Sequence, residues 1–209
     1  MLTLQAVAEV AGNSGAMTWP VAAMEPYSWL VLDGGCTDEQ VGLFVSLLGG
    51  ELAAGASIDE LLEALLAEEG LILAGGLRIG DTATGVEVSP GCCAGLEDWR
   101  DWVELFDGGS PWLGHDPGPQ VENLGHRLRV WQDGGPGRRQ GRWADVYVEL
   151  PTSALSGLLL DVRRDLIGFL GALRAWTVRM ALGDRGVALV EAVDANFAIS
   201  APLVLPGDG

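Results

Sequence analysis

The chain contains no lysine: all 12 of its basic residues are arginines, set against 29 acids. That absence excludes Schiff-base chemistry and the phosphate-binding loop that depends on a lysine. The segment Gly75-Gly76-Leu77-Arg78-Ile79-Gly80 also lacks the G-x-G-x-x-G spacing of a dinucleotide site. Cysteine and histidine are scarce, with three and two residues. Cys36, Cys92, Cys93, His115 and His126 show none of the paired spacings that hold zinc, and adjacent cysteines tend to point in different directions, so neither a metal nor a cofactor is expected. An odd count with an adjacent pair makes no disulfide framework, and reduced thiols suit a cytoplasmic protein. No apolar run approaches the ~20 residues needed to span a bilayer. The N-terminus has no positive region, and Glu9 and Asn13 interrupt its apolar stretch, so it does not read as a secretion signal. Met17 and Met24 offer alternative starts. Residues 1–24 are therefore set apart as an N-terminal segment, residues 25–200 as one α+β domain and residues 201–209 as a tail.

Positive charge is missing above all from the first half. Residues 1–124 hold 20 acids and only Arg78 and Arg100, a net −18, whereas residues 125–209 hold ten arginines and nine acids. The total is −17. Such a field repels nucleic acid and anionic membranes and attracts basic partners; it also keeps a surface soluble without any partner. Arg127, Arg129, Arg138, Arg139 and Arg142 gather on one predicted hairpin. In so negative a molecule an intramolecular or solvated role for them fits better than contact with nucleic acid.

What is present is ample apolar material, 48% of 209 residues, enough for a sizeable core. Leu2–Val10 reads as a strand, and Tyr27–Leu32 as a strand or helix. Thr37 with Gln40, and Ser57 with Glu60, have the spacing of capping boxes. They predict one helix running to Gly49 and a second running to a stop at Gly70, with Ile58, Leu61, Leu62, Leu65 and Leu66 on its apolar face. Leu71–Ile79 and Thr84–Val88 read as a hairpin turning at Gly80-Asp81. A third helix follows, with Leu96, Trp99, Val103 and Phe106 as its inward stripe. Leu128–Trp131 and Trp143–Leu150 read as a second hairpin. From Thr152 the residues Leu155, Leu159, Val162, Leu166, Phe169, Leu173, Trp176 and Met180 alternate by four and three, which predicts a long amphipathic helix ended by Gly183. A short helix over Val187–Val193 closes the series. The fold class expected is α+β: an antiparallel sheet of about four strands in two hairpins, packed with helices that include one long C-terminal amphipathic helix.

Two stretches stand out as candidate sites. Pro90-Gly91-Cys92-Cys93-Ala94-Gly95 precedes a helix N-terminus, where a thiolate is stabilised. The Gly- and Pro-rich loop 107–119 carries Trp112, Leu113, His115 and Asp116, and loops of this length in compact domains commonly have a function. Trp112 either folds back over the core or stands out as an anchor for a partner. Asp59, Glu60 and Glu63, outside the apolar stripe of their helix, are candidate acidic contacts. The acidic helix 57–69, the run Gly95-Leu96-Glu97-Asp98-Trp99-Arg100-Asp101-Trp102 and the loop Ser110-Pro111-Trp112-Leu113-Gly114-His115-Asp116 resemble acidic bacterial proteins of the polymorphic-toxin immunity type. Arg in place of Lys, with abundant Ala and Gly, also fits a high-GC genome. The resemblance covers mostly residues 25–195 and implies a non-enzymatic module that covers a basic protein partner. Two alternatives stay open. One is a small enzyme or ligand-binding protein with its site near Cys92, Cys93, Trp112 and His115. The other is a homo-oligomeric assembly subunit joined through helix 152–182; the oligomeric state is not fixed by the sequence.

Overall fold

A computed structural model describes residues 1–12, 16–115, 118–133 and 146–206. Among them run seven strands, β1 (Leu2–Glu9), β2 (Trp29–Val31), β3 (Gly75–Asp81), β4 (Val86–Val88), β5 (Gln120–Asn123), β6 (Arg127–Trp131) and β7 (Tyr147–Pro151). The α-helices are α1 (Asp38–Gly49), α2 (Ile58–Ala67), α3 (Leu155–Arg179) and α4 (Gly183–Asn196). The strands form one four-stranded sheet in the order β2-β1-β3-β4 and one three-stranded sheet in the order β5-β6-β7. The fold is α+β with antiparallel sheets and a long C-terminal helix, as expected, although the strands outnumber the four anticipated and divide into two sheets.

The chain clusters into two compact units. The first comprises Met1–Ala6, Ala74–Val162 and the segment from Pro202; the second comprises Val7–Leu73 and Arg163–Ala201. Strand β1 and helix α3 each begin in the first unit and continue into the second.

In the second unit, helix α1 starts where its cap dictates. Thr37 Oγ1 accepts from Gln40 N at 3.3 Å, and Gln40 Oε1 accepts from Thr37 N at 2.9 Å. Helix α2 repeats the device, with Glu60 N donating to Ser57 Oγ at 3.3 Å and Ser57 N donating to Glu60 Oε2 at 2.8 Å. Each cap satisfies amides that the helix leaves orphaned. Helix α2 stops at Ala67 instead of Gly70, because Glu68 already turns extended (ψ 147). Residues 71–73 are not strand: the Asn196 side chain on α4 donates to Leu71 O at 2.5 Å and accepts from Leu71 N at 2.8 Å, taking the place of a ladder. Helix α4 starts at Gly183, four residues earlier than the stripe Val187–Val193 suggests. The edge of Phe44 on α1 meets Phe169 on α3 at 4.6 Å between ring centroids. Close to that contact, Gly34 and Gly168 touch backbone to backbone; a Cβ on Gly168 would lie 3.0 Å from Gly34 Cα.

In the first unit, the β3–β4 turn lies at residues 82–85, beyond Gly80-Asp81. Both of those residues pair within β3, with Glu87 and Val86, and Asp81 Oδ1 accepts from Ala83 N at 3.0 Å to open the turn. Strand β6 is sandwiched by β5 and β7, pairing Arg129 with Glu122 on one side and with Glu149 on the other. Opposite charges therefore face each other across both ladders, at 3.4 Å to Glu122 and 2.9 Å to Glu149, and Arg127 also pairs with Glu149. The guanidinium of Arg129 lies over the rings of Tyr147 (4.7 Å) and Trp131 (5.4 Å). These two arginines thus serve the sheet itself. Arg138, Arg139, Arg142 and Trp143 lie outside the described residues.

The third helix is the largest departure. Leu96–Asp107 is a 3₁₀ helix of 12 residues, and its buried positions are Leu96, Trp99, Trp102 and Leu105. Val103 and Phe106, assigned to the core by an α-helical stripe, are only half-buried. Side chains three apart eclipse in a 3₁₀ helix, so one face needs an apolar residue at every third position. Trp102 and Leu105 supply it.

Candidate functional site

The 3₁₀ helix ends at Gly108, whose φ of 76 is left-handed, and Gly109 N donates back to Glu104 O at 2.9 Å. The chain then enters the loop singled out in the sequence. Its residues alternate in exposure: Pro111 and Leu113 are buried, while Trp112 and His115 are exposed. Asp116 lies outside the described residues.

The loop is not independent of the cysteine pair. Gly91 N donates to Leu113 O at 2.8 Å, and His115 N donates to Cys92 O at 2.9 Å, so segments 91–92 and 113–115 run paired. Trp112 Nε1 donates to Cys93 O at 3.3 Å. The edge of its ring meets His115 at 5.2 Å. The approach is so close that a Cβ on Gly114 would sit 2.7 Å from Gly91 C and 2.8 Å from Cys92 O, and Gly114 also has a φ of +115. The structure therefore brings Cys92, Cys93, Trp112, Leu113 and His115 into one surface feature, though 20 or so residues of chain separate the two halves.

Cys92 and Cys93 occupy the middle of a turn closed by Ala94 N donating to Gly91 O at 3.2 Å. Cys93 has a φ of 63, the position at which a type II turn requires a left-handed residue. The two sulfurs, expected to diverge, instead lie 3.3 Å apart, and both side chains are exposed. The helix that follows offers no anion hole to a thiolate. Its first turn carries Glu97 and Asp98, and Asp98 Oδ2 accepts from Gly95 N at 3.3 Å. The third cysteine, Cys36, belongs to the second unit, where burial pushes its thiol pKa up and its sulfur donates to Val31 O at 3.3 Å.

Beneath Trp112 lies a cavity of about 10 Å³, lined by Leu77, Asp98, Trp99, Trp102 and Leu113 among others. Small-molecule sites typically have ~300–1,000 Å³, so this place is a filled surface and not a pocket. The acids of the adjacent 3₁₀ helix crowd one another. Desolvation, and then the charges of Asp98 and Glu104, raise the pKa of Asp101 from its ordinary value.

The acids chosen on α2 belong to the second unit and are differently placed. Asp59 accepts from Arg185 on α4 at 2.7 Å. Glu60 serves the cap of its own helix, and the Ser57 amide and hydroxyl hold its pKa down. Glu63 is exposed. Two of the three are thus already engaged within their unit, a use that the spacing of Ser57 and Glu60 announces and that the distant Arg185 does not. Asp98 and Asp101, outside the stripe Leu96, Trp99, Val103 and Phe106 expected of an α-helix, are half-buried beside the loop.

Among the described residues, no group of three or more His, Cys, Asp or Glu side chains is arranged to hold a metal ion. No single helix among them is long and apolar enough to cross a membrane. No protein-family model matches the chain, and no curated protein or solved structure matches it either.

Proposed function

We propose that this chain is a non-enzymatic acidic binding module, of the immunity or inhibitor kind, that covers a basic protein partner in a bacterial cytoplasm. The observation that carries this reading is Trp112: 45% exposed on a loop whose backbone is pinned to Gly91 and Cys92. A rigid, half-exposed aromatic loses little entropy on docking, and Trp is strongly enriched among the residues that dominate interfaces. The acids of the neighbouring 3₁₀ helix supply sign selection, and the net charge of −17 supplies long-range attraction. The filled surface under the ring favours a protein partner over a small molecule.

The test is capture from an extract of the native host on the immobilised chain and on a Trp112→Ala bait shown to be folded. A basic protein retained stoichiometrically by the wild type, and lost from the variant, supports the reading. Equal retention by both baits, or retention of acidic proteins, refutes it.

A second reading has its own observation. The structure joins Cys92, Cys93, Trp112 and His115, the four residues named for a small enzyme or ligand site. Stoichiometric turnover-linked labelling of either thiol by a substrate-like electrophile favours that reading over the binding module.

A further inference from the structure

We infer that Cys92 and Cys93 form a thiol–disulfide exchange site, a vicinal dithiol that closes to a disulfide within its own turn on reaction with a small disulfide. The geometry argues for it in three ways. The sulfurs are already in contact at 3.3 Å on the outside of the turn, so bond formation at ~2.05 Å requires an approach of only ~1.3 Å. Both side chains are exposed, which gives a small oxidant access. The turn is held from outside by His115 N on Cys92 O and Trp112 Nε1 on Cys93 O, and those bonds keep Cys93 in its left-handed conformation and the sulfurs together.

The chemistry balances with oxidised glutathione as the co-reactant. One cysteine thiolate attacks a glutathione sulfur, forming a mixed disulfide and releasing one glutathione thiolate. The neighbouring thiolate then attacks the protein sulfur of that mixed disulfide, closing the Cys92–Cys93 bond and releasing the second glutathione. The two protons given up by the cysteines end on the two glutathiones; the protein loses two electrons and the glutathione disulfide gains them. Adjacent Cα atoms are closer together than those of ordinary disulfides, so the product is strained and readily reduced. That is the property of exchange sites and not of structural bridges.

The experiment uses the full chain, reduced and then equilibrated with excess oxidised glutathione, acid-quenched, alkylated and digested. The expected result is that the peptide carrying Cys92 and Cys93 loses the mass of two hydrogens, carries no alkyl group and regains both thiols on treatment with dithiothreitol. Cys36 should remain alkylatable throughout. Cys92→Ser and Cys93→Ser should each stop at the mixed disulfide, showing that the partner sulfur closes the ring. Persistence of the glutathione adduct on the wild type would overturn the proposal. So would a disulfide-linked dimer, or two thiols that stay fully alkylatable at every glutathione ratio.

Discussion

Replacing Trp112 by alanine separates what the ring does for the fold from what it does for a partner. An aromatic side chain of this size offers ~200 Å². With 45% exposed, a little over half, ~110 Å², is buried in the unit. At ~25 cal/mol per Å² that burial is worth nearly 3 kcal/mol, and about 2 kcal/mol once the compactness of the unfolded chain is allowed for. The indole N–H donated to Cys93 O is lost with it. For a protein of this size the melting temperature should fall by ~4–8 °C. The remaining ~90 Å² is what a partner would cover, another ~2 kcal/mol, or ~30-fold in Kd. Calorimetric melting together with titration of the captured basic partner reads both quantities on one variant. Trp112→Phe, which keeps most of the area but cannot donate to Cys93 O, should fall between alanine and wild type in both. A melting temperature that does not move would show that the ring is not seated. A large fall in melting with unchanged affinity of the folded fraction would show that the ring only caps the core. Either result refutes the reasoning.

Other consequences can be checked on single variants. Trp102→Ala should cost ~3–5 kcal/mol and Val103→Ala under ~1.5 kcal/mol by denaturant unfolding; the opposite order would mean that residues 96–107 follow an α-helical face. Asp101 is protonated more readily in the folded than in the unfolded chain, so its charge opposes folding above its raised pKa, and that cost is relieved as pH falls through it. Asp101→Asn should therefore raise the melting temperature at pH 7, with the gain shrinking toward pH 4, and melts across that range decide the matter. Glu149 has the reverse sign: Arg127 and then Arg129 hold its pKa down, so its contribution is present above the unfolded carboxylate pKa and lost as pH falls through the folded one. Glu149→Gln should lower stability at pH 7 and become neutral in acid. Association with the basic partner should slow steeply between 0.1 M and 1 M salt, where the screening length drops from ~10 Å to ~3 Å; an on-rate flat over that range would show that the charge serves solubility alone.

What could be read from the sequence was whatever is encoded over three or four neighbours. The caps at Thr37 and Ser57 are complete within four residues, and the α3 stripe from Leu155 to Trp176 repeats often enough to override any single exception. The errors come from longer-range causes. Strand β5 has one apolar residue in Gln120–Asn123, and only pairing with β6 makes it a strand. Leu71–Leu73 looks like strand because it is apolar, yet its hydrogen bonds go to Asn196, far along the chain. Leu96, Trp99, Trp102 and Leu105 also have a period of three, but Val103 and Phe106 fit the commoner helix equally well and concealed it. At the candidate site, composition flagged the Cys pair and the Trp112 loop separately. The backbone bonds that join them leave no mark on residue type beyond Gly91 and Gly114, which look like ordinary turn glycines until the facing strand of chain is in place.

The interleaving of the two units has a consequence for how the protein is made. A ribosome delivers the chain in order, and neither unit is delivered whole. The unit that begins at Val7 waits for Arg163–Ala201, and the unit that begins at Met1 waits for the segment from Pro202. Strand β1 emerges before β3, its inner neighbour in the sheet, which is translated only after the helices between them. Leu4 and Ala6, buried in the finished fold, must spend that interval in solvent or in the grip of a chaperone. A break anywhere in the middle of the chain would leave both units without a member, so paired fragments of this protein should regain structure only together.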